Sequence, residues 1–131
     1  MKYLLDTNIC IYFLKGLYEL DKKIEQIGIE NCYLSEITLA ELKFGVANSE
    51  KKKKNKDALD SFTGDIKIVP IYNSLDLYAE EKARLRRVGN IVDDFDLLIG
   101  VTAIVNDMIL VTNNTKHFGR IRKIVIEDWT K

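Results

Sequence analysis

The chain has 131 residues, 47% hydrophobic and 31% charged, a composition typical of one globular domain with a single core. Its 20 basic and 20 acidic side chains cancel, so net charge offers no argument for a polyanionic partner. The two cysteines lack the spacing of a metal site or a disulfide framework, and no apolar run is long enough to span a bilayer. We therefore expect one domain over residues 1–131, in the reducing cytoplasm and outside any membrane.

Short apolar runs alternate with longer segments of helical spacing along the chain. The predicted strands are residues 2–5, 32–35, 66–71, 108–112 and 123–127. The predicted helices are residues 8–14, 20–27, 37–47, 57–62, 75–88 and 95–105. This alternation favours parallel strands joined by right-handed crossovers, and the lack of in/out alternation indicates a sheet covered on both faces. The sequence predicts an α/β fold, a three-layer α/β/α sandwich with a short, mostly parallel central sheet.

The first predicted strand stops on a carboxylate, Asp6, and turns directly into a helix that includes Asn8. A charge at the end of a buried strand is costly unless it is paired or binds a cation. In open parallel sheets the carboxyl ends of the strands are also where ligands bind. Asp6 is therefore the first candidate site residue.

A second acid, Glu41, follows the second predicted strand. Ile37, Glu41 and Phe44 share one face of the predicted helix, so Glu41 lies on a stripe that is otherwise apolar. Ser35, at the end of the strand, is placed to cap this helix. Two interpretations of Glu41 stay open: a partner for Asp6, or half of a capping box in which it reaches back to the Thr38 amide.

Three acids open the helix predicted at residues 95–105. Acids in a first turn are favourable near the positive helix end, and Asp93 or Asp94 as an N-cap accounts for one of them. Asp96 is less easily explained, because its neighbours one turn later are apolar or small. We interpret Asp96 as a third acid facing the same cleft.

The fourth predicted strand ends in polar residues of a different kind, Thr112, Asn113 and Asn114. They either line the cleft beside Asp6 or form an ordinary turn, which asparagine favours. The single histidine, His117, is interpreted as a surface residue in a loop rather than as a phosphate contact.

Electrostatics limits what Asp6, Glu41 and Asp96 could do together. Two carboxylates about 4 Å apart repel by roughly 4 kcal/mol at an effective dielectric constant near 20. No lysine or arginine lies close to Asp6 in the sequence to offset this repulsion. A hard divalent ion such as Mg²⁺, which prefers oxygen ligands and binds phosphate oxygens, fits such a cluster.

Four segments in order, LLDTNI, SEITLAELKFG, VDDFDLLIGVTA and ILVTNNTKHFGRI, with a terminal IEDW, resemble the PIN-domain ribonucleases. Among these the chain is similar to the VapC toxins of prokaryotic toxin–antitoxin pairs. The resemblance implies that Asp6, Glu41 and Asp96 are catalytic and bind Mg²⁺, with Mn²⁺ able to substitute, while Asn8 supports the first motif.

One motif departs from the family pattern. Thr112 and Asn114 match its TxN element, but many members carry a fourth acid in or just beyond that turn, where this chain has asparagines. Either Asn114 takes a catalytic role by orienting water, or Asp94 supplies the missing charge.

The resemblance also implies an activity and partners. The chain is expected to be a Mg²⁺-dependent endoribonuclease that hydrolyses phosphodiester bonds of RNA, for example a tRNA or rRNA, leaving a 3′-hydroxyl and a 5′-phosphate. A small antitoxin and a second copy of the chain, in a homodimer, are the implied protein partners. Basic residues, either Arg84, Arg86 and Arg87 or the lysine-rich run 51–56, are predicted to guide the RNA backbone.

Two other functions stay open. A phosphatase with Asp6 as nucleophile would also begin with a strand ending in aspartate, but such enzymes need a second acid two residues later, where this chain has Asn8. A catalytically silent domain that binds RNA or a partner protein would be compatible with the missing fourth acid.

Overall fold

A computed structural model describes the whole chain, residues 1–131. The five strands are β1 (Tyr3–Leu5), β2 (Cys32–Ser35), β3 (Lys67–Val69), β4 (Ile109–Val111) and β5 (Ile126–Glu127). The seven α-helices are α1 (Thr7–Leu14), α2 (Leu20–Ile27), α3 (Glu36–Ala47), α4 (Lys52–Asp65), α5 (Leu75–Arg87), α6 (Asp94–Val105) and α7 (Thr115–Phe118). Short 3₁₀ turns occupy Ile29–Asn31 and Tyr72–Ser74.

The strands form one sheet in the order β3-β2-β1-β4-β5, and every neighbouring pair is parallel. β1 lies in the middle, with β2 on one side and β4 on the other. The residues that end these three strands, or follow them directly, therefore meet at one edge of the sheet. They are Asp6, Ser35 and Thr112.

A hydrophobic cluster covers each face of the sheet, which confirms the predicted three-layer sandwich. Leu4 and Leu5, adjacent in β1, are both fully buried, but they belong to different clusters. Successive side chains of a strand point to opposite faces, so this split is the expected one for a sheet that helices cover on both sides. None of the helices combines the length and the hydrophobicity that a transmembrane segment requires.

The structure differs from the sequence prediction mainly at the ends of elements. α4 starts at Lys52, five residues before the predicted residue 57, because the lysine-rich run forms its first turns. Ion pairs of Lys53 with Asp57 and of Lys56 with Asp60 stabilise these turns at the i,i+4 spacing. α7, with only four residues, is too short for its periodicity to be seen in the sequence.

Candidate active site

Asp6 is buried at the end of β1, where it contacts both the start of α1 and the turn after β4. Its Oδ1 accepts the Thr7 backbone N–H at 2.7 Å, and its Oδ2 accepts the Thr112 hydroxyl at 2.8 Å. Burial raises the pKa of Asp6 from 3.8 to about 6, although these two hydrogen bonds oppose the rise. Repulsion from Asp96 and Glu41 contributes to the increase. The site therefore carries more negative charge than its protein surroundings offset.

Glu41 faces Asp6 from α3 and contacts the same threonine. The Thr7 hydroxyl donates to Oε1 of Glu41 at 2.7 Å, so Thr7 lies between the two acids. The alternative capping-box interpretation is wrong. The N-cap of α3 is Ser35, which accepts the Thr38 amide at 3.0 Å, and Glu41 consequently lies further along the helix than a reciprocal cap allows.

Asp96 reaches the site from the first turn of α6, and Asp93 is the N-cap of that helix. Burial raises the pKa of Asp96, and His117 opposes this rise. The Nε2 atom of His117 lies 3.2 Å from Oδ2 of Asp96. The interpretation of His117 as a surface loop residue is therefore wrong, because it lies in α7 with its side chain only 24% exposed.

Gly100, one turn after Asp96 on α6, packs against the segment after α7. A Cβ atom added to Gly100 would lie 2.5 Å from Cδ1 of Ile121, so a larger residue would require the buried Ile121 side chain to shift. The sequence contains one indication that His117 lies near the site, because His117 follows Asn114 by about one helical turn.

Asp94 lies apart from the other acids. Its Oδ1 accepts the Tyr78 hydroxyl and the Lys82 ammonium group, both at 2.8 Å, and it is exposed. These two hydrogen bonds lower the pKa of Asp94. The structure thus pairs Asp94 with α5 and does not bring it to Asp6, Glu41 and Asp96.

The polar turn after β4 supports Asp6 through Thr112. The buried Thr112 hydroxyl donates to Asp6 and accepts the backbone N–H of Asn114 at 3.0 Å. The exposed Asn114 makes no side-chain hydrogen bond at the start of α7, and Asn8 is exposed on α1. Asn113 donates instead to the Tyr12 hydroxyl at 3.1 Å.

The three arginines predicted to guide RNA divide between two different cavities. Arg84 forms two hydrogen bonds of 2.7 Å to the buried Glu81, which lowers the pKa of that glutamate. Arg86 lines a cavity of about 230 Å³ that also includes Asp93 and Asp94 at the start of α6. Arg87 lines a different cavity, together with Arg84, Arg122 and Lys123. Arg86 is therefore the member of the three nearest to the acids of α6.

The arrangement provides carboxylate oxygens from three places, the end of β1, α3 and α6, at one edge of the sheet. No group of three or more Asp, Glu, His or Cys side chains is close enough to form a ready-made metal site. Thr7 lies between Asp6 and Glu41 and forms a hydrogen bond with each. The chemistry of the carboxylate donors and the raised pKa values nevertheless fit a hard divalent cation, which would offset their repulsion.

Comparisons with known proteins agree with this fold. The family model for the PIN domain matches residues 3–124. Ribonuclease VapC2 of Rickettsia felis is 38% identical, and the tRNA(fMet)-specific endonuclease VapC of Shigella flexneri is 30% identical; the alignments cover 100% and 99% of each chain.

A solved structure gives the same result for the fold. The crystal structure of VapBC2 from Rickettsia felis bound to a promoter DNA fragment superposes with a TM-score of 0.92 at 37% identity, over 98% of this chain and 99% of that one. The chain belongs to the PIN domain family, among the VapC ribonucleases.

Proposed function

We propose that this chain is a metal-dependent endoribonuclease, one PIN-like domain over residues 1–131, that acts as the toxin of a toxin–antitoxin pair. The observation that carries the proposal is the meeting of Asp6, Glu41 and Asp96 at one edge of a parallel sheet. Burial raises the pKa of two of them, and charge repulsion connects all three. A structural role alone would favour a lysine or arginine near such a buried acid.

The three acids are the proposed ligands of Mg²⁺, with Mn²⁺ able to substitute. A divalent cation at this place supplies an activated water and offsets the charge that develops on a scissile phosphate. Thr112 keeps one oxygen of Asp6 fixed, and Thr7 does the same for Glu41. Because Asp94 is paired with Lys82, we assign the supporting role of the missing fourth acid to Asn114, whose side chain has no hydrogen bond at its helix cap.

The proposed substrate is RNA, and a tRNA is the first class to test. The relative in Shigella flexneri is a tRNA(fMet)-specific endonuclease. Arg86 is exposed beside the first turn of α6 and is the proposed contact for the RNA backbone. Arg84 is a poorer candidate, because its guanidinium group is already bound to Glu81.

An antitoxin is the proposed regulatory partner. A cavity of about 280 Å³ between α1, α3 and α4 is lined by Leu14, Leu42, Leu59 and the site acid Glu41. Phe44, on the same stripe as Glu41, is 69% exposed and offers an apolar contact near this cavity. A homodimer and a cytoplasmic location, both expected for the family, belong to the same proposal.

The test is cleavage of a tRNA pool by the purified chain with Mg²⁺ and with EDTA. We expect cleavage with Mg²⁺ that EDTA abolishes, and products that end in a 3′-hydroxyl and a 5′-phosphate. RNA binding that is independent of metal and yields no product would instead support a catalytically silent binding domain. Product with a 2′,3′-cyclic phosphate would indicate attack by the ribose and contradict the hydrolytic mechanism.

A further inference from the structure

A line of three hydroxyl groups runs beneath Glu41. The Thr7 hydroxyl is 2.7 Å from Oε1 of Glu41 and 3.1 Å from the hydroxyl of Thr38. The Thr38 hydroxyl in turn lies 3.4 Å from that of Ser35. Thr38 and Ser35 are completely buried, so water cannot replace the contact between them.

The direction of these hydrogen bonds follows from counting protons. A carboxylate only accepts, so the single hydroxyl proton of Thr7 points at Glu41. The Thr7 oxygen then accepts from Thr38, whose own proton is directed at Thr7. Ser35 is left to accept the Thr38 backbone N–H at 3.0 Å and to donate its proton toward the Thr38 oxygen. Each hydroxyl thus orients the next, ending on the glutamate.

Thr7 also fixes the position of Glu41 relative to Asp6. Its backbone N–H binds Oδ1 of Asp6 while its hydroxyl binds Oε1 of Glu41. Only Oε1 of Glu41 has a hydrogen bond within the protein, so Oε2 is left for a ligand. If Thr38 did not supply a proton to Thr7, the Thr7 hydroxyl would be free to turn away from the glutamate.

We propose that Thr38 is a positioning residue of the active site: its hydroxyl orients Thr7, and Thr7 holds the Glu41 carboxylate ready for a divalent cation. Thr38 touches neither substrate nor cation in this arrangement and acts through Thr7. The inference rests on the proposed function, because it assigns Glu41 to cation binding.

The experiment compares Thr38→Val, which removes the hydroxyl at nearly constant volume, with Thr38→Ser, which keeps it. Thr102→Val is the matched control, because Thr102 is also completely buried but donates only to the Leu98 carbonyl of its own helix, at 2.7 Å. For each variant we would measure Mn²⁺ affinity by electron paramagnetic resonance, RNA cleavage, and the thermal unfolding midpoint without metal.

We expect Thr38→Val to lower both Mn²⁺ affinity and cleavage by about tenfold, in line with the loss of one hydrogen bond between neutral groups. Thr38→Ser should restore both to within about threefold, and Thr102→Val should change neither. Thr38→Val with unchanged Mn²⁺ affinity, or Thr38→Ser impaired as severely as Thr38→Val, would overturn the inference.

Two further comparisons distinguish failure of the inference from misfolding of a variant and from failure of the proposed function. If Thr38→Val does not fold, Thr38→Ala is compared with Thr38→Ser. Both substitutions remove the methyl group of threonine, and only Thr38→Ala also removes the hydroxyl. If the unsubstituted chain neither binds Mn²⁺ nor cleaves RNA, the proposed function fails and the inference about Thr38 fails with it. If only the inference about Thr38 is wrong, the unsubstituted chain and Thr38→Val will both bind Mn²⁺ and cleave RNA normally.

Discussion

The hydroxyl of Thr112 donates to Oδ2 of Asp6 at 2.8 Å and joins two residues 106 positions apart in the sequence. The contact arises because β4 lies directly beside β1, with Leu5 opposite Val111, so the residues after the two strands are neighbours. It holds a carboxylate in place where burial would otherwise favour its neutral form. Asp6 is thus kept in a position where its charge is unfavourable for folding.

Substituting Asp6 with asparagine should stabilise the metal-free protein above pH 6. The pKa of Asp6 is raised in the folded state, so the folded state binds more protons than the unfolded state between about pH 4 and pH 6. Stability therefore decreases as pH rises through that window. An asparagine can keep both contacts, accepting from the Thr7 amide and donating to Thr112, and has no charge to bury.

The expected gain in the free energy of unfolding at pH 7.5 is on the order of 2–3 kcal/mol, and it should vanish near pH 4. Urea unfolding in EDTA, for the unsubstituted chain and for Asp6→Asn at both pH values, measures it. An Asp6→Asn variant less stable than the unsubstituted chain at pH 7.5 would show that the charge is compensated in the folded protein.

His117 should support catalysis through Asp96. His117→Ala removes the contact at 3.2 Å that restrains the Asp96 carboxylate, and we expect RNA cleavage to fall by about three- to tenfold. His117→Gln is the control, since the glutamine amide nitrogen can replace Nε2 of histidine, and it should retain most of the activity. Equal losses in the two variants would point to packing of the ring against Phe118 instead.

Substitutions of Arg84 and Arg86 should have different effects, the first on stability and the second on RNA binding. Arg84→Ala leaves the buried Glu81 with only the Arg122 backbone N–H and no ion pair, and should lower the thermal unfolding midpoint, whereas Arg86→Ala should not. Arg86→Ala should weaken RNA binding and reduce the slope of log affinity against log salt by about one. Filter binding with Asp6→Asn as the background, which prevents cleavage, measures that slope. An Arg84→Ala variant as stable as the unsubstituted chain would contradict the assigned structural role.

Phe44 should contribute to antitoxin binding and not to cleavage. Phe44→Ser exposes no core, because Phe44 is already 69% exposed, so folding and activity should be unchanged. Binding of the cognate small antitoxin, sought in a short reading frame directly upstream, should weaken at least tenfold by calorimetry. Tyr72→Ser is the control, because Tyr72 is another exposed aromatic residue and does not lie on α3. Equal binding by Phe44→Ser and the unsubstituted chain would exclude this surface.

The fold could be predicted from the sequence because its signals are local. Apolar runs and helical spacing located the strands and most helices, and Asp6 at the end of the first strand indicated where a site would form. β2 and α2 were predicted with the bounds that the structure has. The long α4 was underestimated, because its first turns depend on exposed ion pairs rather than on an apolar stripe.

The partners of the site residues could not be predicted in the same way. The contacts of Thr7 with Glu41 and of His117 with Asp96 join separate segments and depend on side-chain geometry. Asp94 and Asp96 are two residues apart in the sequence, yet the turn of α6 sends them to different neighbours, Lys82 and His117. The sequence alone cannot decide which acid faces Asp6.

The most direct test of the central claim, that Asp96 and not Asp94 acts with Asp6 and Glu41, compares Asp96→Asn with Asp94→Asn. Mn²⁺ binding and Mg²⁺-dependent RNA cleavage are measured for both variants. The double variant Asp6→Asn/Asp96→Asn is the control for contaminating nuclease. The two single variants remove the same charge from the same helix turn. We predict that Asp96→Asn loses at least 100-fold in cleavage, on the order of what one essential group contributes, together with most Mn²⁺ affinity. Asp94→Asn should retain both. Undiminished cleavage by the double variant, or equal loss in Asp94→Asn and Asp96→Asn, would contradict the assignment.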